Sequence, residues 1–152
     1  MDIETDHILK EVLDILSKRY EKFNSLKLIS KLLKEEVFHY DWAGFYLMND
    51  TKKGLDLGPY SGAHTEHLYI PLNKGICGQV AQNKQTIIVQ DVSMVENYLS
   101  CSINVQSEIV VPIIKNGEFV AELDIDSHSL APFTEKDTIL LEKICRELAC
   151  LF

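Results

Sequence analysis

The chain has no unbroken apolar run near the roughly 20 residues that cross a bilayer, so nothing in its 152 residues reads as a membrane span. Positive charge is also scarce. Fifteen Lys and Arg stand against 23 Asp and Glu, a formal net charge of −8. A phosphate backbone would be repelled unless the few lysines gathered on one face, so no nucleic-acid partner is expected. The four cysteines, Cys77, Cys101, Cys145 and Cys150, show neither Cys-x-x-Cys nor the Cys/His pairing of zinc sites, and no metal is expected. His64 and His67 form one His-x-x-His pair in a loop-like stretch, which by itself carries little weight as a metal site. The first residues, Met1 to His7, open acidic where a secretory signal opens basic and then turns apolar. A cytoplasmic protein with reduced thiols is therefore expected. Internal repeats, low-complexity tracts and linkers are missing too, which leaves a single domain over 1–152.

What is present is ordinary for a globular chain: 46% hydrophobic and 25% charged residues. Up to residue 38 the apolar side chains recur at helical spacing, Ile8, Val12, Ile15 and Leu16, then Leu26, Ile29, Leu32 and Leu33. Two amphipathic helices fit, with a break near Asn24-Ser25. From residue 41 to 127 the texture becomes short β-branched and aromatic runs. Strands are expected at 42–48, 55–57, 68–72 and 86–89, with a short helix over 75–84. The clearest element is a hairpin, 108–114 and 119–126, turning at Asn116-Gly117. Thr134 followed by Asp137 resembles a capping box for a closing helix over 134–152. Helices at both ends of a mostly antiparallel sheet make a layered α+β domain.

Seven short strings resemble one family. They are Asp41-Trp42-Ala43-Gly44-Phe45-Tyr46-Leu47, Leu57-Gly58-Pro59-Tyr60-Ser61-Gly62, Ile70-Pro71, Gly75-Ile76-Cys77-Gly78, Gln90-Asp91-Val92, Ser107-Glu108-Ile109-Val110-Val111-Pro112 and Leu123-Asp124-Ile125-Asp126-Ser127. In this order they are similar to the free methionine-(R)-sulfoxide reductases built on the GAF fold. The resemblance implies that free methionine sulfoxide is the substrate. It also implies that a cysteine thiolate attacks the sulfoxide sulfur, and that the resulting sulfenic acid is captured by a second cysteine. By position the attacking cysteine corresponds to Cys101, and Cys77 matches a second family cysteine. No bound cofactor is implied; an external thioredoxin-type thiol restores the enzyme.

The residue chemistry points the same way. Sulfoxide oxygen leaves poorly, so a carboxyl able to donate a proton in a water-poor cavity would assist it. Glu108, with Asp124 and Asp126 on the paired strand, are the candidates. Asp124 and Asp126 are two apart and share one face, while Leu123 and Ile125 share the other. If the acid face turns inward, burial and repulsion raise a carboxyl pKa, and the same charges suit the substrate ammonium. Trp42 and Tyr46 are also co-facial and offer an aromatic wall for the S-methyl group. Asp91 joins the substrate-binding set through the Gln-Asp-Val string. Alternation of this kind is equally what a half-exposed strand shows, with its acids in solvent. Cys145 and Cys150 fall in the closing helix, where inert thiols are the plain expectation.

Two departures matter. The family's usual resolving cysteine stands three residues before Ile-Pro, and His67 stands there instead. Turnover then requires Cys77, or a small thiol, to reduce the sulfenic acid. Around Cys101 the family's His-Ile-Ala-Cys-Asp string is Tyr98-Leu99-Ser100-Cys101-Ser102. The alternative function is a non-catalytic GAF module that binds a small polar molecule or dimerises. The apolar end, Ala149-Cys150-Leu151-Phe152, needs cover from the N-terminal helix of the same or a second subunit, and a homodimer is expected.

Overall fold

The computed structural model describes residues 3–96, 98–99 and 103–152. The helical apolar stripe forms α1 (Ile3–Ser17) and α2 (Lys22–Glu36), burying Ile8 and Val12 from the first and Leu26, Ile29 and Leu33 from the second. The break between them falls earlier than Asn24-Ser25. Arg19 turns left-handed at φ 55°, and the Glu21 carboxylate then accepts the amides of Phe23 and Asn24 at 3.0 and 3.3 Å. A glutamate at this position does the work that Ser or Asp usually does at a helix start, so Asn24 lies inside the first turn.

The strands are β1 (Trp42–Met48), β2 (Gly54–Ser61), β3 (Tyr69–Pro71), β4 (Ile87–Val89), β5 (Ser107–Lys115) and β6 (Glu118–Ser127). They form one antiparallel sheet in the order β3-β2-β1-β6-β5-β4. Strand β2 runs past the expected Leu57 because the register slips there. Gly44 pairs with Tyr60 and Tyr46 with Leu57, so β2 carries one extra residue around Gly58-Pro59. A bulge is where a strand tolerates proline, which has no amide to donate. The β5–β6 turn meets the expectation from Asn116-Gly117: both residues have positive φ, 52° and 80°, as a two-residue primed hairpin turn requires.

Both faces of the sheet are covered. Helices α1, α2 and α4 (Glu135–Leu148) pack over Phe45, Ile109, Val111, Ile113, Leu123 and Ile125. Helix α3 (Gly75–Asn83) covers the opposite face, against Trp42, Tyr46, Leu55, Ile70 and Val110. At the start of α4, Asp137 reaches back to the Thr134 amide at 2.8 Å, and it also accepts Tyr40 Oη at 2.7 Å. The C-terminus finds its cover in its own chain. Leu151 and Phe152 pack on the α-helical core, and Lys22 Nζ lies 4.8 Å from the centre of the Phe152 ring. Among the described residues no helix is long and apolar enough to cross a membrane.

Candidate active site

Strands β1, β6 and β5 meet side by side under α3. Alternation along β6 sends Leu123 and Ile125 to the core on one side and Glu122, Asp124 and Asp126 to the other. Because α3 covers that other face, the acids are inside the protein: Glu122 and Asp126 are 0% exposed and Asp124 1%. Register brings Glu108 opposite Asp126 on β5, and it too is buried. On the far side of β6, β1 sets Trp42 opposite Asp126, Gly44 opposite Asp124 and Tyr46 opposite Glu122.

Gly44 makes the aromatic wall possible. A Cβ there would lie 2.4 Å from the Trp42 ring, so the indole can fold over this position only because no side chain occupies it. The indole stacks on Tyr60 with centroids 5.2 Å apart, and its Nε1 donates to the Ala63 carbonyl at 3.0 Å. Tyr46 is fully buried, and its hydroxyl donates to the His67 carbonyl at 3.0 Å. His67 is thereby tethered to the edge of the same site. On the other side, Gly78 lets α3 sit close on the preceding loop, where a Cβ would meet the Leu72 carbonyl oxygen at 2.7 Å.

This packing lowers Cys77, in the first turn of α3, onto the acids. Its Sγ donates to Asp124 Oδ2 at 3.6 Å, and Sγ, a Glu108 oxygen and an Asp124 oxygen all lie within 4.8 Å of one another. The electrostatics follow from burial. Burial lifts Asp124 from 3.8 to about 6, held back by hydrogen bonds from Glu108 and Cys77 and by the charge of His67. Burial, then the charges of Asp124 and Asp126, push Glu108 well above the usual carboxylate range. Burial does the same to Glu122. The Cys77 thiol is held well up by burial, then by Asp124, Glu122 and Glu108, so it rests as a protonated thiol. Such a site can hold a cation, donate a proton from a neutral carboxyl, and enclose a small polar molecule.

The hollow itself is lined by Cys77, Glu108, Gly75, Ile70, Lys74 and Leu99, and its ≈ 10 Å³ takes about one water. A roomier groove of ≈ 910 Å³ lies beyond Trp42, lined by Lys27, Lys31, Lys34 and Tyr60 among others. It contains no thiol and none of the buried acids, so chemistry rather than size selects the hollow.

The sequence-derived set is therefore partly assembled. Cys77, Glu108, Asp124 and Asp126 cluster under α3, with Trp42 and Tyr46 on the adjoining strand. Asp91 is placed differently: its carboxylate caps the short helix 92–94, accepting Ser93 N at 3.0 Å and Ser93 Oγ at 2.7 Å. Cys101 lies outside the described residues. Cys145 is buried with its Sγ 3.9 Å from the Val111 carbonyl and its thiol pushed up by burial, while Cys150 is exposed. Glu122 was not anticipated, although the alternation that marks Asp124 and Asp126 reaches it two residues earlier.

Comparison with known proteins bears on the family and the fold. The GAF domain model matches residues 25–150. The chain is 34% identical to GAF domain-containing protein A of Dictyostelium discoideum, across 94% of this chain and 89% of the relative. It is 35% identical to the free methionine-R-sulfoxide reductase of Saccharomyces cerevisiae, across 85% of this chain and 73% of the relative. The solved free methionine-R-sulfoxide reductase from Neisseria meningitidis, in complex with its substrate, superposes with a TM-score of 0.92 at 30% identity, over 100% of this chain and 91% of that one. On fold, motif order and similarity along most of its length, the chain belongs to the GAF-domain family, in the branch of the free methionine-R-sulfoxide reductases.

Proposed function

We propose that this protein reduces free methionine-R-sulfoxide to methionine, with Cys101 as the attacking thiol. The observation that carries the proposal is the inward-turned acid face: Glu108, Asp124 and Asp126 are buried together where a half-exposed strand would have left them in solvent. Leu99 lines the hollow beside Glu108 and Cys77, and Cys101 follows it by two residues, at most about 7 Å of extended chain. Similarity to the reductases supports the same reading.

In the proposed reaction the substrate ammonium meets Asp124 and Asp126, and the S-methyl group lies against Trp42 and Tyr46. Entry displaces Leu99, because the hollow alone takes about one water. The Cys101 thiolate attacks the sulfoxide sulfur while neutral Glu108 protonates the oxygen. The oxygen passes to the cysteine sulfur, so thiol plus sulfoxide gives sulfenic acid plus thioether. Cysteine sulfur is oxidised by two electrons, and methionine sulfur is reduced by two. Cys77 then condenses with the sulfenic acid, forming a disulfide and releasing water, with Asp124 Oδ2 at 3.6 Å placed to take the thiol proton. A thioredoxin-type thiol reduces the disulfide; with His67 at the usual resolving position, a small thiol acting directly on the sulfenic acid is the other route.

The test is methionine release from free methionine-R-sulfoxide with dithiothreitol, beside the S epimer and Cys101→Ser. Release from the R epimer that Cys101→Ser abolishes is expected. No release by the wild type would favour a GAF module that only binds a small molecule. Homodimerisation belongs to the same proposal, now through Leu13, Tyr20, Phe23 and Leu28, which are exposed on and beside α1 and α2. Light scattering that gives a monomer mass at high concentration would remove it.

A further inference from the structure

We propose that the hollow beneath α3 is also a binding site for a thiol-seeking divalent cation of the zinc and cadmium class, held by Cys77, Glu108 and Asp124 with Glu122 beside them. The ligand atoms come from three elements, α3, β5 and β6, and lie within 4.8 Å of one another. Around a four-coordinate zinc with bonds of about 2.0 to 2.3 Å, neighbouring ligand atoms stand roughly 3.3 to 3.8 Å apart. The Cys77 Sγ to Asp124 Oδ2 distance is already 3.6 Å. Small rotations of carboxyl groups would supply the rest.

Three further observations point to an ion. The cavity of ≈ 10 Å³ that Cys77 and Glu108 line, with Asp124 behind the thiol, suits a guest the size of one atom or one water. Glu122 is 0% exposed, and among the described residues its carboxyl has the Cys77 thiol for a neighbour and no basic group. A buried acid with no base beside it is costly to ionise, and a cation entering the cluster offsets that cost. The thiolate selects a soft metal over calcium or magnesium, which prefer all-oxygen shells. Lys74 also lines the hollow and is exposed, so its ammonium can turn to solvent when the ion enters.

Binding replaces the S–H bond of Cys77 with a sulfur–metal bond and releases that proton to solvent; no electron moves. Glu108 and Asp124 are shared with the proposed sulfoxide site, and in this respect the inference rests on that reading: the ion and the substrate ammonium exclude each other, so the metal inhibits reversibly. Sequence spacing could not reveal such a site, because its ligands at 77, 108 and 124 are far apart in the chain.

The experiment is a cadmium titration of the reduced full-length Cys150→Ser protein, followed by the ultraviolet thiolate-to-cadmium charge-transfer band, without substrate. The expected result is saturation at one equivalent, loss of the band in Cys77→Ser, and half-saturation raised at least about tenfold by Asp124→Asn. Circular dichroism checks that Cys77→Ser folds; if it does not, Asp124→Asn decides, and unchanged half-saturation there overturns the site. A band that survives Cys77→Ser, or no stoichiometric band in the parent, also overturns it. Active protein without the band would remove the metal site alone, whereas inactive protein with the band would remove the reductase reading alone.

Discussion

Replacing Asp124 by Asn should stabilise the protein at neutral pH while abolishing turnover. Folding raises the Asp124 carboxyl from 3.8 to about 6, chiefly by burial. A group whose folded pKa is raised binds its proton more tightly in the native state, so its contribution is fully present below pH ~4 and is lost as pH climbs through ~6. The shift of about two units corresponds to roughly 3 kcal/mol at pH 7. Asparagine is neutral at every pH and does not incur this loss. Urea unfolding of both proteins at pH 4, 5, 6 and 7 reads the difference directly: near coincidence at pH 4 and, at pH 7, a variant midpoint higher by roughly 1.5 M for a slope of about 2 kcal/mol/M. A variant equally destabilised at pH 4 and pH 7 would refute the buried, cation-seeking carboxylate. So would a difference between the two proteins that does not change with pH.

Other outcomes follow from the same geometry. Glu108→Gln keeps the shape but removes the proposed proton donor, and should lower kcat with dithiothreitol by about 10²-fold or more while leaving KM within a few-fold. Gly44→Ala drives a methyl group into the Trp42 ring and should cost about 1 to 3 kcal/mol. Trp42 is the sole tryptophan, so the displaced indole should shift the emission spectrum of the native state, and an unchanged spectrum would show that the ring does not lie over Gly44. Tyr46→Phe removes the hydroxyl that holds the His67 carbonyl and should cost about 1 kcal/mol by denaturant titration.

How much of this was legible beforehand depended on the range of the interactions involved. The hairpin was plain because Asn116-Gly117 declares its own turn, and β1 because three aromatics, Trp42, Phe45 and Tyr46, fall in one seven-residue apolar run bounded by the turn-forming residues from Asn49. The first helix break was misplaced because a glutamate cap is an unusual signal, and β2 was cut short because a bulge that admits Pro59 is a property of two paired strands. The co-facial acids of β6 could be read from alternation alone. Their burial could not, since an acid face beneath a helix and an acid face in water have the same period; only the placement of α3 decides. Asp91 matched a family string and in the structure caps the short helix 92–94, and Glu122 was overlooked because it stands one residue before the string Leu123-Asp124-Ile125-Asp126-Ser127 that carried the resemblance. Cys77 looked like a ready second thiol, whereas burial, and then the three acids around it, hold its proton tightly.

The most direct measurement of the central claim is a single turnover without external thiol. Fully reduced protein is mixed with one equivalent of free methionine-R-sulfoxide, methionine is quantified, and the protein is trapped with a sulfenic-acid reagent for peptide mass analysis. The account predicts one methionine per chain, with the oxidation found on Cys101 as a trapped sulfenic acid or as a disulfide to Cys77. Methionine formed with Cys101 still a free thiol, or no methionine from protein that binds the sulfoxide, would contradict it.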